Sequence, residues 1–303
     1  SVVMMIANFM AFLAPNFAVL LAGRILVGVA IGGFWPIGIA VGPRLMPEPT
    51  GARGATIIFS GLALGTIAGV PAGALVADHF GWRAAFGAAA GTSLLALIAL
   101  AALLPPVPAL RLARWKDLSA LLLVPQARLG MLMAFLTFGG VFLAYPYIGP
   151  FLGIVSNMDA GDISLMLMIF GIAGFFGNII GGWLVGRGNK MATSVNAFAL
   201  AAPVFLLAAF GESAPVAVAM VCLWGLAYGG VSIVQQSWMA RAAPNELETG
   251  GSVYVATVQL SVSVGAWLGG ATVDDLGITY VMLISGVAVL SVAPIVLVFG
   301  RLP

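Results

Sequence analysis

Ten apolar stretches, separated by short clusters of charged residues, proline and glycine, follow one another along this chain. A helix needs about 20 apolar residues to cross the hydrocarbon core of a bilayer, and nine of the ten stretches reach that length. None alternates apolar and polar residues with the period of two expected of an outer-membrane strand, so we predict an all-α, polytopic membrane protein. The stretches comprise residues 1–14, 17–42, 54–77, 84–104, 128–152, 163–186, 191–210, 214–240, 250–273 and 278–300.

The shortage of charge supports the same conclusion. Only 7% of the 303 residues are charged and 62% are hydrophobic, whereas a soluble domain carries about 25% charged residues. Too few charges remain to build a water-facing surface, so most of the protein is expected to contact the lipid bilayer. A net charge of +2 also gives no reason to expect a nucleic-acid partner.

The inventory of reactive side chains argues against an enzyme. The chain has one cysteine, Cys222, and one histidine, His79, so neither an intrachain disulfide nor a His-rich or Cys-rich metal cluster can form. A Walker A sequence is absent, and no dinucleotide-binding fingerprint precedes a helix. We therefore expect no metal, no cofactor and no direct use of ATP, which leaves secondary transport driven by a gradient.

The distribution of basic residues predicts the orientation in the membrane. One set of alternate loops holds ten Lys and Arg residues, the other set holds only Arg83, and basic residues favour the cytoplasmic side. The first set is therefore predicted to face the cytoplasm, together with the C-terminus. It comprises Arg44, Arg53, Arg111, Arg114, Lys116, Arg128, Arg187, Lys190, Arg241 and Arg301.

An internal repeat relates the two halves of the chain. Gly32-Gly33 recurs as Gly229-Gly230, Arg44 as Arg241, and further Pro and Gly matches follow at the same offset of 197 residues. Because six spans lie within one offset, the copies share one orientation, as in the major facilitator fold. We predict bundles over 1–104 and 128–303, joined by a cytoplasmic linker over 105–127. The offset also leads us to expect two further spans before Ser1, twelve in all.

A charge inside a span is costly unless it is paired or hydrated, which makes Arg24 a candidate functional residue. It lies seven residues into the second stretch, about 10 Å deep. We consider two interpretations. The arginine lines a translocation cavity and handles substrate or protons, or its long side chain reaches back to the outer interface.

Two glycine-rich segments are candidates for movement. Gly61, Gly65, Gly69 and Gly73 recur every four residues around Pro71, a pattern that suits a hinge but equally suits tight helix packing. Gly182, Gly186, Arg187 and Lys190 close the span over 163–186. They form either a gating loop or a cationic anchor at the membrane surface.

Aromatic and amide residues concentrate in several spans and suit a flat, partly polar ligand that stacks and hydrogen-bonds. Tyrosines near a span end can instead form an interfacial belt, and span amides can instead link helices. The two adjacent glutamines point about 100° apart, so one cavity should not take both. The candidates are Phe34, Trp35, Phe138, Tyr145, Trp224, Tyr228, Gln235, Gln236 and Gln259.

The segment from Gly23 to Trp35, Gly-Arg-Ile-Leu-Val-Gly-Val-Ala-Ile-Gly-Gly-Phe-Trp, resembles the fourth-span signature of major facilitator drug:proton antiporters. The segment from Gly65 to Gly73 resembles their fifth-span antiporter motif. Within that family the chain is most similar to nucleoside- and sugar-efflux members. The resemblance implies a proton antiporter of the inner membrane in which Arg24 has the role of the fourth-span arginine, and it places any first-span coupling acid outside this chain.

We therefore expect a secondary active transporter that works by alternating access and is a monomer. Its expected cargo is a small nucleoside-like or drug-like solute, exchanged for protons. Sugars such as arabinose, or antibiotics, are the alternative substrates. A membrane sensor or assembly partner that transports nothing is the alternative of another class.

Overall fold

The computed structural model describes residues 1–41, 45, 61, 65, 69, 72–73, 75–105, 121–244 and 247–301. Within these residues every regular element is helical. Eight helical segments are long and apolar enough to cross a membrane, and one shorter apolar helix, Val2–Phe12, precedes them. These elements correspond to nine of the ten predicted stretches, while most of residues 54–77 lies outside the described part.

The chain divides into two compact units, Ser1–Leu112 and Ala113–Pro303. The boundary between these units falls inside the predicted linker over 105–127. Three helices of the first unit are described over their full length, namely α1 (Val2–Phe12), α2 (Phe17–Val41) and α3 (Trp82–Leu103). Residues 72–73 and 75–80 are also helical.

Polar contacts tie α1 and the residues just after it to α3 at two points. Asn8 on α1 donates a hydrogen bond of 3.5 Å to Ser93 on α3. The guanidinium of Arg83 donates to the carbonyl oxygen of Ala14, just beyond the end of α1, at 3.1 Å. A cation is favourable there because the carbonyl groups at a helix C-terminus lack partners within the helix.

The first span described in the second unit is Pro125–Ile154. It was predicted as one helix from residue 128, but the structure starts it at Pro125 and interrupts it with a 3₁₀ turn at Tyr145–Tyr147. Proline favours the first helical position. The turn contains Pro146, which has no N–H to donate to the preceding turn. The two parts are α4 (Pro125–Ala144) and α5 (Ile148–Ile154).

The remaining helices follow with short connections. They are α6 (Ala160–Arg187), α7 (Asn189–Phe210), α8 (Ala214–Ala242), α9 (Leu247–Leu276), α10 (Ile278–Leu290) and α11 (Val292–Phe299). Asp159 caps α6 by accepting the backbone N–H of Asp162 at 2.8 Å. One residue, Gly188, separates α6 from α7, and its φ of 135° is open mainly to glycine.

Glycines allow the helices of the second unit to touch backbone to backbone. On α6 and α8, a Cβ added to Gly177 would overlap the carbonyl oxygen of Leu226, and one added to Gly229 would overlap that of Gly174. Gly265 on α9 approaches Gly139 on α4 in the same way. Small residues of this kind favour close helix association in a bilayer, where apolar burial alone contributes little.

Candidate functional site

Five aromatic rings from four elements meet in the second unit. They come from α4, from the 3₁₀ turn, from α6 and from α8: Phe142, Tyr145, Phe170, Trp224 and Tyr228. The rings of Tyr145 and Tyr228 are nearly parallel, with an angle of 14° and centroids 6.4 Å apart. Each such pair adds about 0.5–1.5 kcal/mol beyond simple burial. We call these five residues the aromatic cluster.

Backbone contact between α6 and α8 positions the cluster. Gly225 lies next to Trp224, and a Cβ there would overlap the backbone of Phe170. This close approach brings the ring of Phe170 to 5.5 Å from Trp224 and 5.7 Å from Tyr228. The glycines of the α6–α8 contact therefore determine which aromatic faces meet.

Trp224 is fully buried, yet its indole N–H has no acceptor among the described residues. The hydroxyl of buried Tyr254 on α9 likewise has no hydrogen-bond partner in the described part of the chain. A buried donor without a partner costs about 1–3 kcal/mol. Small-molecule sites combine aromatic and apolar walls with a few polar groups of this kind.

The sequence prediction of an aromatic site included Phe138, Tyr145, Trp224 and Tyr228, and the last three come together in the cluster. Phe138 instead pairs edge to face with Tyr254, at 6.4 Å. The sequence analysis missed Phe170 and Tyr254. The packing of Phe170 against a glycine of the neighbouring helix is visible in the sequence only as that glycine. Glycine is too frequent in this chain for such a signal to stand out.

The three candidate glutamines lie in different surroundings. Gln235 is buried, and its side-chain N–H₂ donates to the hydroxyl of Thr137 on α4 at 2.8 Å. Its carbonyl oxygen has no partner among the described residues. Gln236 and Gln259 are half-buried. Gln235 therefore links α8 to α4.

Arg24 in the first unit lies over a ring of the neighbouring helix. Its guanidinium carbon is 4.3 Å from the ring centroid of Phe86 on α3, a cation–π contact. Phe34 is half exposed, at 51%, and the side chain of Trp35 lies outside the described part. Arg24 remains a candidate for both interpretations, because the ring contact is compatible with a cavity and with the outer interface.

The glycine-rich candidates differ in what surrounds them. Gly61, Gly65, Gly69 and Gly73 are helical, and no described atom lies within 4 Å of a Cβ placed on them; Pro71 falls outside the described residues. Gly182, Gly186 and Arg187 lie inside α6 and Lys190 lies inside α7, so the prediction of a loop over this segment is wrong. Among the described atoms, a Cβ on Gly182 would meet only Ile233, at 3.9 Å, and one on Gly186 would meet nothing within 4 Å. The guanidinium carbon of Arg187 lies 3.3 Å from the ring centroid of Trp183, whereas Lys190 is exposed.

The sequence profile of the Major Facilitator Superfamily matches residues 1–259, most of the chain. This chain belongs to the Major Facilitator Superfamily. The protein is accordingly a multi-pass membrane protein and a secondary active transporter of small solutes, not an enzyme. These findings confirm the predicted fold class and transport function, and they disfavour the sensor or assembly partner.

Individual relatives in the superfamily are efflux pumps. The chain is 31% identical over 283 residues to the purine ribonucleoside efflux pump NepI of Escherichia coli O6:K15:H31, covering 93% of this chain and 72% of that protein. The pump of the same name from Salmonella paratyphi A is 31% identical over 287 residues, covering 95% of this chain and 72% of the relative.

Solved structures of the same superfamily share the fold. A crystal structure of the E. coli fucose:proton symporter FucP superposes with a TM-score of 0.69 at 17% identity, over 99% of this chain and 81% of FucP. A second FucP structure, in the outward conformation, gives a TM-score of 0.65 at 16% identity, over 99% of this chain and 83% of that one. At these identities the likeness concerns the fold alone.

Proposed function

We propose that the protein exports a solute of the purine ribonucleoside class from the cell in exchange for protons. The observation that carries this proposal is the aromatic cluster with its unpaired indole N–H at Trp224. The relatives at about 31% identity are named as purine ribonucleoside efflux pumps, which supports the same substrate class.

A purine base fits the chemistry of the cluster. Stacking of a base on an aromatic side chain is worth about 1–3 kcal/mol per base, and five rings provide several faces of this kind. The ring nitrogens of a purine accept hydrogen bonds, so an indole N–H can orient the base once it has stacked. A site without charged groups also suits a neutral nucleoside better than a nucleotide, whose phosphates need cations.

Transport of a labelled purine ribonucleoside into inside-out vesicles tests the proposal. Trp224→Phe keeps an aromatic ring and removes the N–H, so we expect about a fivefold rise in KM, equivalent to one hydrogen bond. Trp267→Phe is the matched control, since Trp267 is 70% exposed and outside the cluster; its KM should match the parent protein.

The outcome of this assay also decides between substrate classes. Transport of an arabinose analogue or an antibiotic, without any nucleoside flux, would replace the nucleoside proposal with one of those alternatives. Equal KM values for the parent and Trp224→Phe, with nucleoside flux retained, would remove the cluster from the binding site.

Proton exchange is proposed as the energy source, with no bound cofactor. Arg24 is the candidate for this role because it lies seven residues inside a predicted span, whereas Arg128 stands at the first residue of one. We expect Arg24→Gln to abolish the stimulation of transport by an imposed pH gradient, while Arg128→Gln, at the start of α4, leaves it intact. Stimulation that persists in Arg24→Gln would assign the coupling elsewhere.

We further propose how the parts work together. The bundles over 1–104 and 128–303, joined by the linker over 105–127, alternate in access around a solute, with the glycine-rich segment over 61–73 as a hinge. The junction of α6 and α7, from Gly182 to Lys190, closes one end. The protein is proposed to be a monomer in the inner membrane with a cytoplasmic C-terminus.

A further inference from the structure

Three helices of the second unit meet at the end where α4 begins and where α8 and α11 finish. Trp238, near the end of α8, is fully buried there. Its indole N–H donates to the backbone carbonyl oxygen of Gln126, in the first turn of α4, at 3.1 Å. A buried indole N–H usually finds a hydrogen-bond partner. Because this partner belongs to another helix, the bond links the end of α8 to the start of α4.

The side chain of Gln126 extends this link to a third helix. Its N–H₂ donates to the carbonyl oxygen of Phe299 at 3.1 Å, and its carbonyl oxygen accepts the backbone N–H of Arg301 at 3.1 Å. Phe299 is the last residue of α11, where a helix leaves its carbonyl groups without internal partners. Gln126 therefore bonds to α8 through its backbone and to the end of α11 through its side chain.

Two glycines let the indole of Trp238 fit between α4 and α11. A Cβ added to Gly130 would lie 3.0 Å from Cδ1 of the indole. A Cβ added to Gly300 would lie 2.9 Å from Cη2, on the other ring of the same indole. Trp238 therefore contacts both neighbours closely, and movement of either helix away from it would open a costly cavity.

The indole also has an apolar core of its own. This core is distinct from the larger one that contains Phe170 and Trp224 of the aromatic cluster. Its members come from α4, α7, α8 and α11: Leu129, Met133, Ala197, Trp238, Val292, Ala293 and Val296. We call Gln126, Gly130, Trp238 and Gly300 the clasp. Because the clasp lies in a different core from these rings, its role is sought in the movement of helices and not in solute binding.

We propose that the clasp makes the adjoining ends of α4, α8 and α11 one moving part. When the protein changes conformation, these three ends shift together, and α8 does not separate there from α4 or α11. Gln126 bonds to both neighbouring helices and Trp238 packs against both, so the loss of one contact weakens the others. Such mutual dependence is the property of a cooperative structural unit. The proposal goes beyond the identity of the solute and holds for any cargo.

Hydrogen exchange of the purified protein in detergent, read by mass spectrometry, tests whether the three ends open together. Gln126→Ala removes the two side-chain bonds to α11 and leaves the backbone carbonyl group that Trp238 uses. One moving part predicts exchange about fivefold faster in all three segments, as for the loss of one hydrogen bond. The segments are residues 129–133, 238–242 and 296–301. Faster exchange confined to 296–301, or unchanged exchange in all three, overturns the proposal.

Two further variants complete this experiment. Gln236→Ala is the matched control, because it removes an amide two residues before Trp238 that has no hydrogen bond to another described residue. Its exchange should equal that of the parent protein in all three segments. Trp238→Phe removes the indole N–H and should accelerate exchange in the same segments as Gln126→Ala. If Trp238→Phe does not fold, the comparison of Gln126→Ala with Gln236→Ala decides.

A cross-link tests the movement during transport. In a Cys222→Ser background, a reducible bifunctional thiol reagent joins α4 to the end of α11 in Gln126→Cys/Arg301→Cys. Ends that move together predict vesicle transport at an unchanged rate after cross-linking. Transport that stops on cross-linking and returns on reduction would show that the ends must separate, which overturns the proposal. This second experiment rests on the proposed nucleoside transport, and if the parent protein carries no nucleoside, the exchange experiment decides alone.

Discussion

Two adjacent glutamines on α8 show how differently neighbouring side chains can be used in a membrane helix. Gln235 is 3% exposed and bonded to Thr137, whereas Gln236 is half-buried and has no hydrogen bond to another described residue. The rotation of about 100° between successive helix positions separates them. A buried amide in hydrocarbon is costly without a partner, and the structure supplies one for Gln235.

We expect Gln235→Ala to lower the stability of the protein by about 1–3 kcal/mol, because it leaves a cavity and removes the bond to Thr137. Thermal unfolding in detergent would register this as a lower midpoint. Gln236→Ala is the matched control and should leave the midpoint nearly unchanged. Equal effects of both substitutions would show that the Gln235–Thr137 bond contributes nothing specific.

At the scale of the helix, the contact between α6 and α8 depends on glycines at particular positions. Gly177 and Gly182 lie on the same helix and look alike in sequence. A Cβ on Gly177 would overlap the carbonyl oxygen of Leu226, but one on Gly182 would meet only the side chain of Ile233, at 3.9 Å. Backbone cannot move aside as a flexible side chain can, so the two positions should tolerate change differently.

The corresponding prediction is that Gly177→Ala destabilises the protein by about 1–3 kcal/mol, as overpacking of a close contact does. Gly182→Ala should leave stability unchanged or slightly higher, because alanine favours helix over glycine. The unfolding midpoints of both variants can be compared directly. If Gly177→Ala were the more stable of the two variants, α6 and α8 would be farther apart than they are in the structure.

For the whole molecule, the arrangement in the membrane follows from the ten-to-one distribution of basic residues between alternate loops. This predicts that the connection between α7 and α8, which contains Glu212, faces outward, and that the connection between α6 and α7, next to Lys190, faces the cytoplasm. The two connections lie at opposite ends of α7 (Asn189–Phe210), a helix of membrane-spanning length.

Cysteine labelling checks this topology in a background where Cys222 is replaced by serine. A membrane-impermeant maleimide should label Glu212→Cys in intact spheroplasts and Lys190→Cys only after permeabilisation. Asp159→Cys and Arg128→Cys serve as second reporters for the outer and inner sides. Labelling with the reverse pattern would invert the proposed orientation.

Much of the fold could be predicted from the chain alone because the relevant signals are local. An apolar run of sufficient length predicts a membrane-spanning helix whatever its neighbours are. The runs that became α6, α7 and α8 were placed within a few residues. Helix breaks were harder to predict from the sequence. The 3₁₀ turn at Tyr145–Tyr147 and the interruption at Ser291, three residues before Pro294, become visible only in the structure.

The candidate site was only partly predictable, for a physical reason. Tyr145, Trp224 and Tyr228 were expected as site residues from their chemistry, but Phe170 joins them only because Gly225 lets α6 touch α8. The roles predicted for Arg24 and for the glycine-rich segments remain predictions. Which side chains meet depends on helix rotation and separation, and these are properties of pairs of helices.

The sequence by itself determined that this protein lies in a lipid bilayer, its helical class and its superfamily, and it predicted the repeated halves. Each of these follows from the order of apolar and charged residues along one chain, since hydrocarbon excludes charge and requires backbone hydrogen bonds to close within a helix. Only the tertiary structure decided that five rings form one cluster, that Gln235 is paired and that Trp238 lies between α4 and α11. Those features arise where small residues let separate helices approach, and no single helix encodes that distance.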